Sequence, residues 1–139
     1  MYRFLRYWSP VLIWCSIIFY FSNIPHLSSG LGVWDLFLRK VVHLTEYGVL
    51  SFLLMRAFRN TSNLSLPDLS AWSLRLSILY AFTDELHQGF VPGRENSVYD
   101  LFIDSLGAVI ALWLLTWKEE KKKSLKDKKR FISLTDDKG

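Results

Sequence analysis

The chain contains four long apolar segments, and in the last three of them the charged residues gather mainly at one end. The segments run from Tyr7 to Phe21, from Leu36 to Phe58, from Ala71 to Val91 and from Val98 to Trp117. The second, third and fourth are each close to the ~20 residues that a membrane-crossing helix needs. A charge at the centre of a bilayer costs about 2.5–3.5 kcal/mol, so charges are tolerated far better at the end of a span. The pattern predicts an all-α integral membrane bundle of four transmembrane helices.

The composition agrees with a small membrane protein followed by a charged tail. Half of the residues are hydrophobic and 16% are aromatic, as in multi-spanning proteins. The single cysteine, Cys15, provides neither a disulfide framework nor a cysteine-based metal site. Nine of the 17 basic residues lie at or beyond Lys118. We predict a membrane domain over residues 1–117 and a disordered, basic cytoplasmic tail over residues 118–139 that is drawn to anionic lipid rather than to nucleic acid.

The distribution of basic residues predicts the orientation of the bundle. Arginines precede the first segment and flank the loop after the second, and the lysine-rich tail follows the fourth. Basic residues accumulate on the cytoplasmic side of membrane proteins. We therefore expect both termini in the cytoplasm, with the loops around Pro25 and Pro92 outside.

In this arrangement successive segments cross the membrane in opposite directions. The charged ends of the last three segments are therefore predicted to meet at the outer leaflet. Within a helix, His43 lies three residues after Lys40 and four before Tyr47, and residues at these spacings share a face. Arg94, between the third and fourth segments, is expected to reach carboxylates on both. The predicted cluster consists of Lys40, His43, Tyr47, Asp84, Glu85, Gln88, Arg94, Asp100 and Asp104.

The two aspartates of the fourth segment share a helix face with small residues. Asp100, Asp104, Gly107 and Ala111 recur at intervals of three or four and so lie on one helix face. Glycine and alanine at such positions let another helix approach closely. The stripe therefore predicts that both aspartates point into the bundle.

Two chemistries are compatible with the cluster, and a purely structural role is a third alternative. His43 with Asp84, Glu85 and Asp100 could bind a divalent cation. Lys40, His43 and Arg94 could instead hold an anionic head group, with the acids orienting them or acting as general bases. The basic residues favour the anion, so we predict no metal site, and no cofactor follows from the sequence. In the structural alternative the charges only pack the helices.

No sequence motif identifies a reaction. Three hydroxyl residues lie near the acids, Thr83, Ser97 and Ser105, and none of them has a G-x-S-x-G setting. The sequence contains neither a glycine-rich phosphate loop nor an H-E-x-x-H helix. The sequence thus leaves open whether the protein is an enzyme. If it is one, a membrane-embedded hydrolase or transferase acting on a phospholipid or lipid-linked sugar is the natural expectation.

The same residues resemble the motifs of the VanZ-like membrane protein family. The resemblance lies in K-V-V-H-L-T-E-Y at 40–47, D-E-L-H-Q-G-F-V-P-G-R at 84–94 and D-L-F-I-D-S-L-G at 100–107. Family members typically read K-x-x-H-x-x-x-Y, D-E-x-x-Q-x-x-x-P-x-R and D-x-x-x-N-x-x-G. Asp104 stands where the family usually has asparagine, and Ala111 stands where a second glycine is frequent.

The resemblance implies a multi-pass protein of the bacterial cytoplasmic membrane. The family's namesake is linked to resistance to the glycopeptide teicoplanin. We therefore expect an outward-facing site for a lipid head group, a lipid-linked wall precursor or the lipoglycopeptide itself, with an effect on glycopeptide sensitivity.

Overall fold

The computed structural model describes residues 2–24, 33–94 and 97–136, and this part of the chain is all-α. It contains four helices and no strand: α1 (Tyr2–Ser22), α2 (Val33–Thr61), α3 (Leu66–Gln88) and α4 (Val98–Asp136). The predicted fold class is therefore confirmed at the level of helices. The loop predicted around Pro25 lies outside the described residues.

Local sequence signals position both ends of α3. The Ser65 side chain caps the start by accepting a hydrogen bond from the Asp68 backbone N–H, and Pro67 lies in the first turn. Proline is favoured there because that N–H has no partner within the helix. The helix ends at Gln88, three residues before the predicted end, and a turn follows in which Gly93 has a φ of 77°. Glycine adopts such a φ without steric cost.

The fourth helix corrects the prediction for the tail. Instead of becoming disordered after Trp117, the chain stays helical as far as Asp136. Residues 118–130 consist largely of lysine, glutamate and leucine, which have high helix propensity. Extending an existing helix also avoids the cost of forming a new first turn. The basic tail is thus a continuation of α4.

Side-chain contacts define how the helices run relative to one another. The Trp8 indole N–H, near the start of α1, donates to Thr61 Oγ1 at the end of α2 over 3.2 Å. Arg59, also near the end of α2, forms a two-pronged ion pair with Glu119 on α4 at 2.7 and 3.0 Å. Consequently α1 and α2 are antiparallel and α2 and α4 are parallel. The start of α1, the end of α2 and the basic part of α4 share one end of the bundle.

The tightest contact in the bundle lies between α2 and α4. A Cβ built at Gly107 would overlap the carbonyl oxygen of Leu44, and a Cβ at Gly48 would lie 3.4 Å from the carbonyl oxygen of Gly107 and 3.8 Å from the Ala111 Cβ. The prediction that Gly107 and Ala111 admit a neighbouring helix is therefore confirmed.

The outer surface is strongly apolar. Three helical stretches are long and apolar enough to cross a membrane: Tyr2–Ser22, Phe37–Thr61 and Val98–Ser133. Large hydrophobic side chains such as Leu12 and Trp113 are more than half exposed. The described residues thus form a helical bundle of membrane type, with three candidate spans rather than four.

Candidate functional site

Polar side chains are buried at the end of the bundle opposite the basic tail. They come from the start of α2, the end of α3 and the start of α4, and neighbouring helices place them close together. The buried members are His43, Tyr47, Asp84, Glu85, Gln88 and Asp104, whereas Lys40, Arg94 and Asp100 are partly exposed. We call these nine residues the polar cluster.

Asp84 is the centre of one hydrogen-bond chain in the polar cluster. Its Oδ2 accepts from the Tyr47 hydroxyl at 3.2 Å and from Gln88 Nε2 at 2.9 Å. The Gln88 Oε1 in turn accepts from Arg94 Nη1 at 3.1 Å. The glutamine amide therefore connects the guanidinium to the carboxylate.

Arg94 contacts α1 rather than the carboxylates that it was expected to reach. Its Nη2 donates to the Phe21 carbonyl oxygen at 2.8 Å, and its Nε donates to the Ile24 carbonyl oxygen at 3.4 Å. A helix end leaves carbonyl groups without partners within the helix, and a guanidinium satisfies several of them at once. Burial lowers the pKa of Arg94, but an arginine stays charged under such a shift. Arg94 thus joins the ends of α1 and α3.

Two further pairs connect the parallel helices α2 and α4. His43 Nδ1 lies 3.0 Å from Asp104 Oδ1, with both side chains buried. One turn closer to the end of the bundle, Lys40 forms an ion pair with Asp100. The Lys40 ammonium also lies 4.9 Å from the centre of the Tyr99 ring, within the range of a cation–π contact.

Glu85 has a partner that the sequence analysis missed. Its Oε2 accepts a hydrogen bond of 2.8 Å from the backbone N–H of Ser97, just before α4 begins. A backbone donor leaves no signal in residue type, so only the three-dimensional structure identifies it. The bond joins the last turn of α3 to the entry of α4.

His87, which lies between Glu85 and Gln88 in the sequence, does not belong to the polar cluster. Its ring stacks on Phe19 of α1, with the ring centres 4.7 Å apart. His87 therefore belongs to the packing between α1 and α3.

Three carboxylates in the polar cluster retain unused acceptor capacity. Asp84 Oδ1, Glu85 Oε1 and Asp104 Oδ2 are buried and have no hydrogen-bond partner among the described residues. Buried polar atoms are normally paired, so unpaired carboxylate oxygens indicate a place for a proton, a cation or a donor from a ligand.

Residues from three helices converge closely enough to hold a metal ion. His43, Glu85 and Asp104 each offer a ligand atom, and these atoms lie within 4.8 Å of one another. The sequence analysis considered His43 and Glu85 with Asp84 and Asp100. The structure brings Asp104 to this position, because Asp84 is engaged by Tyr47 and Asp100 faces Lys40.

Comparison with known proteins identifies a family but no individual relative. No curated protein and no solved structure shows a significant match to the chain. The sequence profile described as VanZ/LLP1 matches residues 6–119. This match includes most of α1, all of α2 and α3, the first part of α4 and the whole polar cluster. The chain therefore belongs to the VanZ/LLP1 family.

Proposed function

We propose that this VanZ-like protein crosses the membrane four times, with α3 as the remaining span. The 23 residues of α3 correspond to roughly 34 Å of helix, enough for the hydrocarbon core. Its exposed side chains include Leu79, Phe82 and Leu86, whereas its buried ones include Ser77 and Asp84. A helix that is apolar outside and polar inside is the reverse of a helix on a soluble protein. The inward polar residues lower the average hydropathy of α3. So does the exposed Arg75, whose guanidinium lies over the Trp72 ring, 5.1 Å from its centre.

Four crossings place the polar cluster at the outer leaflet of a bacterial cytoplasmic membrane. The end of the bundle that contains Arg3, Arg59 and the lysine-rich part of α4 is the more basic one. By the positive-inside rule that end is cytoplasmic. Both termini then lie in the cytoplasm, and Lys40 and Arg94 lie on the outer side.

The polar cluster is proposed to bind the head group of an anionic lipid of the cell envelope, either a phospholipid or a lipid-linked wall precursor. This proposal rests on one observation: a charged and partly exposed lysine lies at the same end of the bundle as strongly exposed apolar side chains. The Lys40 side chain is 31% exposed, and Phe90, Val98 and Tyr99 are 86%, 86% and 66% exposed at the same end of the bundle. An amphiphile requires both surfaces, a cation for its phosphate and an apolar surface for its chain.

A membrane-embedded hydrolase or transferase is the second candidate, and the His43–Asp104 pair favours it. An imidazole held by a carboxylate at 3.0 Å is oriented as a general base. The reaction would transfer the head group of the bound lipid to water or to another acceptor. Release of a water-soluble head group from labelled lipid, lost in His43→Gln while the lipid is still bound, is the expected signature.

Lipid profiling of the purified protein tests the proposed binding. Lys40→Gln removes the outer charge, and Arg59→Gln is the matched control because Arg59 forms an equivalent α2–α4 ion pair at the opposite end. The full chain is purified in mild detergent, and co-purified lipids are quantified by mass spectrometry. We expect an anionic species that is retained by the wild type and Arg59→Gln but depleted at least fivefold in Lys40→Gln. Equal lipid content in all three proteins refutes the proposal and leaves a role in helix packing.

The proposed site also predicts an effect on glycopeptide sensitivity. A site that binds wall precursor, or teicoplanin itself, is expected to change the sensitivity of cells that express the protein. Expression of the wild type, but not of Lys40→Gln at equal abundance, is expected to alter the inhibitory concentration of teicoplanin. Unchanged sensitivity on wild-type expression contradicts this part of the proposal.

A further inference from the structure

We infer that His43, Glu85 and Asp104 bind one divalent cation of the Zn²⁺ or Mn²⁺ class inside the bundle. One ligand comes from each of α2, α3 and α4, so the ion would join the three helices that form the polar cluster. The site lies beneath the Lys40–Asp100 pair. It is a property of the chain itself, and it does not depend on which lipid the protein binds.

The geometry of the three side chains fits an ion after small adjustments. Ligand atoms at right angles around an ion, each about 2.1 Å from it, lie about 3.0 Å apart, and opposed ones about 4.2 Å apart. His43 Nδ1 and Asp104 Oδ1 are already 3.0 Å apart. All three ligand atoms lie within 4.8 Å of one another, so a pair at that limit closes by about 0.6 Å to face each other across an ion, or by about 1.8 Å to lie at right angles around it.

Unsatisfied oxygens point to a ligand rather than to a closed hydrogen-bond network. Asp104 is fully buried and Glu85 is 5% exposed, yet Asp104 Oδ2 and Glu85 Oε1 have no partner among the described residues. A buried carboxylate oxygen without a partner is costly. A metal ion would satisfy these oxygens and neutralise both charges together.

The charges around the site favour a cation over an anion at this depth. The two basic side chains near it are engaged elsewhere: Lys40 pairs with Asp100, and Arg94 donates to Gln88 and to the end of α1. The interior therefore contains more carboxylates than cations. From the sequence we predicted that basic groups favour an anion here. Residue types show which basic side chains are near the cluster, but not what those side chains contact.

The donor set selects the class of ion. One imidazole with two carboxylates suits Zn²⁺ or Mn²⁺ better than Ca²⁺, which prefers six to eight oxygen ligands. Three protein ligands also leave a coordination position open, as in catalytic zinc sites. Asp104 supplies the second carboxylate of the set, and a neutral amide in its place would bind such ions more weakly than a carboxylate.

Metal binding to the purified full-length protein tests the inference. The protein in detergent is stripped with a chelator and equilibrated with Zn²⁺ or Mn²⁺ alone, and bound metal is measured by elemental mass spectrometry. We expect about one ion per chain and a rise in the unfolding temperature on saturation. Asp104→Asn and Glu85→Gln should each weaken binding at least tenfold, whereas Glu119→Gln, which removes an acid at the opposite end, should bind as the wild type does.

Each result of this experiment decides the question. Failure of the wild-type protein to bind either ion overturns the inference, whether or not the variants fold. Unchanged binding in both variants, with wild-type elution volume and helical circular dichroism, overturns it as well. If the variants lose their fold, His43→Gln provides the third test of the same site. No lipid is added in this assay and its readout is bound metal, so failure of metal binding and failure of lipid retention are scored separately.

Discussion

Replacing Gly107 by alanine is expected to destabilise the bundle, because the added methyl group has no space between α4 and α2. The new Cβ would overlap the Leu44 carbonyl oxygen and lie 2.9 Å from its carbonyl carbon and 3.0 Å from its Cα. Carbon atoms in contact prefer about 3.5–4.0 Å. All of these neighbours are backbone atoms, so no side chain can rotate away. The two helices must separate by roughly 1 Å at this point.

Gly48→Ala is the matched control, since it adds the same methyl group to the same interface from the other helix. Its Cβ would lie 3.4 Å from the nearest backbone oxygen and 3.8 Å from the Ala111 Cβ, which is close to ordinary contact. The gain in helix propensity, about 1 kcal/mol, applies to both variants and cancels in their comparison. The overpacking cost of about 1–3 kcal/mol remains, so Gly107→Ala should be less stable than Gly48→Ala by about this amount.

Thermal unfolding in one detergent, followed by circular dichroism, measures the difference. A gap of this size corresponds to at least about 3 °C between the two variants. Separation of the helices should also weaken binding of Zn²⁺, because His43 and Asp104 lie on the two helices that move apart. An unfolding temperature for Gly107→Ala equal to or above that of Gly48→Ala would refute this account of the interface.

Two further predictions concern hydrogen bonding and topology. Tyr47→Phe should lower the unfolding temperature more than Tyr80→Phe, because Tyr47 donates to the Asp84 carboxylate and Tyr80 donates to the neutral Cys15 carbonyl. Removing a bond to a charged group costs about 1.5–3 kcal/mol, and a neutral bond about 0.5–1.5 kcal/mol. A reporter that is active only in the cytoplasm should be active when fused to either terminus. Activity at one terminus but not at the other would place the termini on opposite sides of the membrane and contradict four crossings.

The order and approximate positions of the helices could be predicted from the sequence, but their ends could not. Apolar stretches of about 20 residues reveal the parts of helices that contact lipid. The start of α1 at Tyr2 contains Arg3 and Arg6, and the extension of α4 to Asp136 is rich in lysine. Charged residues of this kind continue a helix without the uninterrupted apolar signal of a span. For α3 the difficulty is reversed, because buried polar side chains conceal an apolar outer face. Hydropathy averages over both faces of a helix and so cannot separate them.

Which residues approach one another could be predicted better than which of them pair. The alternating directions of the segments predicted that His43 lies near acids of the fourth segment, and the cation alternative combined it with Asp100, whereas the structure pairs it with Asp104. The expected reach of Arg94 to carboxylates was wrong, because carbonyl groups at the end of α1 compete for the guanidinium. Partners on the backbone, such as the N–H bound by Glu85, have no counterpart in a pattern of residue types.

The parallel direction of α2 and α4 explains the pairing that spacing alone left undecided. Only α3 lies between the two helices along the chain, and both run the same way. Their turns therefore match in order, each turn advancing about 5.4 Å. The contacts follow this order along the interface: Lys40 with Asp100, His43 with Asp104, Leu44 with Gly107 and Gly48 with Ala111. Aspartate has a short side chain, so Asp104 reaches the imidazole only if the two backbones are close. The small residues one turn further along provide that approach, and the close contact between α2 and α4 therefore sets the geometry of the His43–Asp104 pair.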